Sequence, residues 1–171
     1  GSVDEFMVYD VALDADQVQG LYNDPARNIT LNPDGTFTYS HAGQTPDDLV
    51  AWWQMGDGDT HPEIRDHAGI YAGTMQNMDA GDFVADTAGG ISAVSADFDG
   101  TDDYVDVDPG LNQLLNSFSI NMWVKGPADA STTFFQSFTA GQDVTDDMIF
   151  LRMSDWGDFK IEPRDDDDIA V

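Results

Sequence analysis

Short runs of aromatic, aliphatic and β-branched residues recur along this chain, each cut off by a turn rich in Asp, Gly or Pro. Strands this short cannot bury their apolar faces alone, so they must pair, mostly antiparallel, into sheets. The pattern predicts strands at Phe6–Tyr9, Leu49–Met55, Ala96–Phe98, Tyr104–Val107, Phe118–Val124, Thr133–Phe138, Met148–Met153 and Phe159–Ile161. Within Phe118–Val124, the residues Phe118, Ile120, Met122 and Val124 share one face, and Ser119, Asn121 and Trp123 share the other. The last two strands join through the tight turn Asp155-Trp156-Gly157-Asp158. Asn28–Leu31 and Thr36–Tyr39 flank Asn32-Pro33-Asp34-Gly35, where Pro presets φ and Gly accepts positive φ, so this pair reads as a hairpin.

One segment carries a helix signal. Asp14 is a good N-cap, and Gln17 three residues later completes a capping box. Leu13 and Val18 occupy the positions of a hydrophobic staple. The helix runs over residues 15 to 22 and stops near Asn23-Asp24-Pro25. It is too short to stand alone in water, so it must pack on something.

Charge narrows the partners. The 171 residues hold 33 acids against 6 Lys plus Arg, for a net charge of −27. Six cations cannot offset that field, which excludes nucleic acid bound through its phosphates and repels an anionic membrane surface. No apolar run approaches the roughly 18 residues of a spanning helix, so membrane insertion is not expected. A hydrophobic fraction of 41% still supplies a core, which argues against wholesale disorder. Three of the acids are glutamates (Glu5, Glu63 and Glu162), leaving 30 aspartates. Asp is the short carboxylate favoured in turns and in calcium loops. So acidic a surface also stays soluble in high salt, which suits a marine or saline extracellular setting. Cysteine is absent, so disulfides and thiolate metal sites are not available. No signal peptide opens the chain, and its start is expected to lie inside a longer protein.

Three zones follow: residues 1–25, the connector hairpin of 26–45, and the strand-rich 46–171. The third resembles the opening of a laminin-G-like, concanavalin A-like domain of bacterial and archaeal surface proteins. The residues that carry the resemblance are Leu49-Val50-Ala51-Trp52-Trp53-Gln54-Met55, then Ala96-Asp97-Phe98-Asp99-Gly100-Thr101-Asp102-Asp103-Tyr104-Val105-Asp106-Val107, then Ser117 to Lys125. Residues Gly1 to Asp10, Ala12-Leu13 and the capped helix are similar to the segment that closes the same family's domain. The closing motif thus precedes the opening motifs, and the family's late strands are missing. Asn32 to Tyr39 is similar to a segment of bacterial cadherin-like repeats. The resemblance implies an all-β antiparallel jelly-roll sandwich with one short N-terminal helix, incomplete over 46–171. Two arrangements fit the inverted order. The chain spans the end of one unit and most of the next in a tandem array, or residues 1–22 dock onto a sandwich, that of 46–171 or that of an adjacent copy.

Candidate chemistry centres on calcium, which takes six to eight oxygen ligands. Asp57, Asp59, Asp66, Asp99, Asp102 and Asp103 all sit on Gly-containing turns and are the candidate ligands; Asp66 and Asp99 fall at turn positions that the resemblance implies. His61 and His67 flank Asp66 and offer a weaker transition-metal alternative. The run Asp165 to Asp168 reads as a solvated, self-repelling loop. Among the tryptophans, adjacent Trp52 and Trp53 must point to opposite sides of a strand, so one is expected in the core. Trp156, in a turn, is the candidate sugar-stacking residue. The paired carboxylates of sandwich glycanases, a nucleophile elbow and a phosphate-binding Gly-Lys-Ser/Thr loop are all lacking. The expectation is a non-enzymatic, secreted or surface-exposed adhesion or recognition module of a larger protein, binding glycan or a protein surface with calcium. The alternative is a structural repeat of a filament, surface layer or virion appendage that self-associates through residues 1–22. A glycanase accessory domain is a minor third reading.

Overall fold

A computed structural model describes residues 1–23, 28–31, 37–40, 48–69, 71–85, 93–107, 118–126, 132–137, 148–153 and 159–164. Over these residues the protein is all-β, with antiparallel strands in sheets and one short α-helix. The chain divides into two compact units, Gly1–Asp108 with Leu115–Lys125, and Pro109–Leu114 with Gly126–Val171.

The first unit is organised around β1, Ser2–Tyr9. On one edge β1 pairs with β10 (Ser119–Lys125), from Ser2↔Lys125 to Tyr9↔Ser119. Two strands share its other edge. β8 (Ser95–Asp97) pairs with Ser2 and Val3, and β4 (Leu49–Trp53) pairs with Phe6 to Tyr9. The change of partner falls at Glu5, whose φ of 52° lies in the left-handed region. The register against β10 also slips between Asp4 and Met7. A bulge at this point re-aims the strand from one neighbour to the next. β7 (Phe83–Val84) extends the sheet beyond β8. All eight residues of β1 are buried, because strands cover both edges and side chains cover both faces.

Those faces are apolar for different partners. Met7, Tyr9, Leu49 and Trp52 cluster with Leu21 of α1, Ala15–Asn23. Phe6 meets Trp53 edge-on, ring centroids 5.7 Å apart, on the opposite side. Trp52 and Trp53 are therefore both buried, where the sequence suggested one. Each indole has a partner: Trp52 Nε1 donates to Glu5 Oε2 at 2.6 Å, and Trp53 Nε1 donates to the Tyr71 carbonyl at 2.7 Å. The helix starts as its sequence predicts. Asp14 N donates to Gln17 Oε1 and Gln17 N donates to Asp14 Oδ1, both at 2.9 Å. Leu13 packs against the Met7, Tyr9, Leu21, Leu49 and Trp52 cluster, whereas Val18, expected to be its staple partner, is 52% exposed. The segment before the helix is tied to β10, since Ser119 Oγ accepts from Leu13 N and donates to the Val11 carbonyl.

A second sheet holds β5 (Glu63–Ile64), β6 (Gly73–Gln76) and β9 (Tyr104–Val107) in that order. β6 approaches β9 so closely that a Cβ on Gly73 would come 2.6 Å from Val105 Cγ1. β2 (Asn28–Leu31) and β3 (Phe37–Ser40) form the expected hairpin, in register from Asn28↔Ser40 to Leu31↔Phe37.

The second unit contains a sheet of β11 (Thr132–Ser137), β12 (Met148–Met153) and β13 (Phe159–Arg164). β13 runs on past the predicted Ile161, through Pro163. Its place at the edge of this sheet allows that residue, because an edge strand can spare a ladder donor.

Candidate functional site

β8 and β9 are joined by Phe98 and the turn Asp99-Gly100-Thr101-Asp102-Asp103, where Gly100 takes φ 79° to reverse the chain. The turn is held by its own carboxylates. Asp99 Oδ1 accepts from Thr101 N at 2.7 Å, and Asp103 Oδ2 accepts from Asp99 N at 2.8 Å. Asn77, itself at φ 61°, donates from Nδ2 to the Asp102 carbonyl at 2.9 Å and ties the turn to the end of β6. These bonds bring one carboxylate oxygen each of Asp99, Asp102 and Asp103 within 4.8 Å of one another. Among the described residues this is the one group of three or more acidic or histidine ligands so close. Asp99 and Asp102 are exposed and Asp103 is half-buried. The amide of Thr101, followed by weaker bonds from the same turn, holds the Asp99 carboxyl below its ordinary value of 3.8. All-oxygen, multiply anionic and open to water, the turn offers what a calcium ion takes, with water completing the shell.

The other three aspartates named from the sequence are placed differently. Asp66 is buried. Its Oδ1 accepts from Trp52 N and Ala68 N, both at 2.9 Å, and its Oδ2 accepts from Tyr71 N at 3.0 Å. Asp59 accepts from Gly56 N at 2.9 Å and Arg65 N at 2.8 Å, while burial pushes its carboxyl above 3.8. Asp57 Oδ2 accepts from Ala93 N at 2.8 Å. All three accept from backbone amides, and none joins the close group. The histidines are also engaged apart from it. The His61 ring lies 3.0 Å from the Met78 carbonyl, and the His67 ring packs on Trp52 with centroids 4.9 Å apart. Burial, then the Arg65 charge, lowers the His67 pKa from its ordinary 6.5.

Trp156 and the run 165–168 lie outside the described residues. Of the described tryptophans, Trp123 is the one that reaches the surface. Tyr22, 67% exposed, stacks on it with ring centroids 6.0 Å apart and an interplanar angle of 23°. Beside Tyr22 an open groove of about 460 Å³ runs along α1 past Val18, Asp14 and Leu13. The sequence reading missed Tyr22. Its position four residues after half-exposed Val18, on one face of a short helix, was the available signal.

Buried acids were missed as well. Asp4 and Glu5 are 0% and 1% exposed at the middle of β1. Two adjacent carboxylates inside an otherwise apolar strand are the sequence trace of that arrangement.

Comparison with protein-family models, with curated proteins and with solved structures finds no match. No helix among the described residues is long and apolar enough to cross a membrane.

Proposed function

We propose that this chain is a non-enzymatic recognition module of a larger extracellular β protein, built on a jelly-roll sandwich of the laminin-G-like kind, and that it binds its ligand with calcium. The observation that carries the reading is the convergence of Asp99, Asp102 and Asp103 on one exposed turn. Three carboxylates so close repel one another, and a divalent cation relieves that repulsion while ordering the turn. With few protein ligands and open access, affinity belongs in the range of extracellular modules, on the order of 10⁻⁴–10⁻³ M. Neutral glycan is the ligand class that fits best. The net charge of −27 opposes anionic ligands, and the outer face of Tyr22 offers the kind of flat aromatic surface on which sugar C–H groups pack.

Calorimetric titration with calcium tests the metal, and a glycan array probed with and without calcium tests the ligand. Calcium binding that is lost in Asp102→Asn/Asp103→Asn but kept in Asp57→Asn supports the site. Equal binding in both variants, or none in the parent chain, overturns it.

A second reading has its own support. The central place of β1 in a sheet whose other strands come from residues 49–125 favours a structural repeat unit that joins to further copies.

A further inference from the structure

β1 pairs with β4, β8 and β10, strands that form no ladder with one another among the described residues. Every strand that β1 touches comes from beyond residue 48, and the hairpin between them, β2–β3, pairs only with itself among the described residues. The helix that follows β1 closes the same cluster, through Leu21 against Met7, Tyr9, Leu49 and Trp52. Residues 1–23 therefore form one insert, a buried strand plus a helical plug, reached through the segment 24–48.

Take the insert out and three strand edges and the apolar faces of Leu49, Ala51, Trp52 and Trp53 would open to water. Such a slot demands a strand. The segment shaped to fill it is present in every copy of the chain. A strand supplied by another copy makes the same hydrogen bonds and buries the same side chains. The closed and exchanged forms then differ chiefly in how the insert is tethered.

We propose that residues 1–23 are an exchangeable insert, and that the slot formed by β4, β8 and β10 accepts the insert of a second copy of this chain. A strand carried on the same chain competes at an effective concentration on the order of millimolar. The isolated dilute chain keeps its own strand. Exchange takes over when copies refold together at comparable concentration or are held close. Reciprocal exchange closes a dimer, and one-way exchange builds an open head-to-tail series. The inference supplies the mechanism of the structural reading and rests on it only for a biological setting. Copies that exchange strands but form no extended series keep the inference and discard that reading.

The test uses the whole chain. It has no cysteine, so Val3→Cys with Val124→Cys, facing residues of β1 and β10, reports which chain fills the slot. The variant is unfolded in denaturant, refolded either at micromolar or near-millimolar concentration, and oxidised. Expected are a closed monomer from the dilute sample and disulfide-linked dimers or ladders, lost on reduction, from the concentrated one. Monomers with the disulfide closed within the chain at both concentrations overturn the proposal. Should the variant fail to fold, the parent chain refolded at both concentrations decides by light scattering. Discrete dimers or larger species that persist on dilution support exchange, and monomers alone overturn it.

Discussion

Asp66 accepts the amides of Trp52, Ala68 and Tyr71 from a buried position. Removing the carboxylate strands three donors inside the protein, so Asp66→Ala should cost about 3 kcal/mol of stability. Urea denaturation checks this, and the same variant should leave the calcium binding proposed for the β8–β9 turn unchanged. His67 gives a pH prediction. Its ring lies on Trp52, its Nε2 is buried without a hydrogen-bond partner, and it faces Arg65, Asp59 and Asp66. Burial and Arg65 lower its folded pKa below 6.5, so the unfolded chain takes up its proton first on acidification. The contribution of neutral His67 is full above 6.5 and is lost as pH falls from there through the lowered folded value. Asp59 acts in a lower window with the opposite sense, because its pKa is raised and its contribution declines as pH rises above 3.8. The melting temperature should therefore fall between neutral pH and about pH 5, and His67→Gln should flatten that fall. An equal fall in the variant would assign the effect elsewhere.

At the scale of elements, the start and extent of the helix were legible because their signal is local. Asp14 and Gln17 bond to each other's backbone as a capping box must. Asp14→Ala should cost about 1 kcal/mol in chemical denaturation, with helical signal lost together with the packing of Leu21. The hairpin was legible for the same reason, and β9 and β12 match their predicted bounds. β5, β6 and β7 were not. Gly73-Thr74-Met75-Gln76 has one β-branched residue and a glycine, and it is a strand only because β5 and β9 pair with it. The candidate site was legible by half. Asp66 and Asp99 both precede or begin Gly-containing turns, and sequence cannot tell a carboxylate that caps buried amides from one left facing water. That distinction is made by what surrounds each residue, which for Asp66 includes the Trp52 amide of β4, 14 residues earlier in the chain.

For the whole molecule, the charge of −27 acts on every unit at once. Self-repulsion destabilises the compact chain at low ionic strength, where the screening length is about 30 Å at 0.01 M, and far less at 1 M, where it is about 3 Å. The melting temperature should rise steadily as potassium chloride is added over that range. A flat or falling profile would mean that the acids are not a net burden on the fold. β1 lies between strands contributed from forty to more than a hundred residues further on, so it forms only by closing long loops. If β1 is the strand that holds this sheet together, its amides open only when the sheet does. Residue-resolved hydrogen exchange on the intact chain measures that directly. The account predicts that the Met7, Val8 and Tyr9 amides are among the slowest to exchange, with protection equal to that of Ile120 and Asn121 in β10. Rapid exchange of Met7 to Tyr9 beside a protected β10 would contradict it, because the sheet would then stand without its central strand.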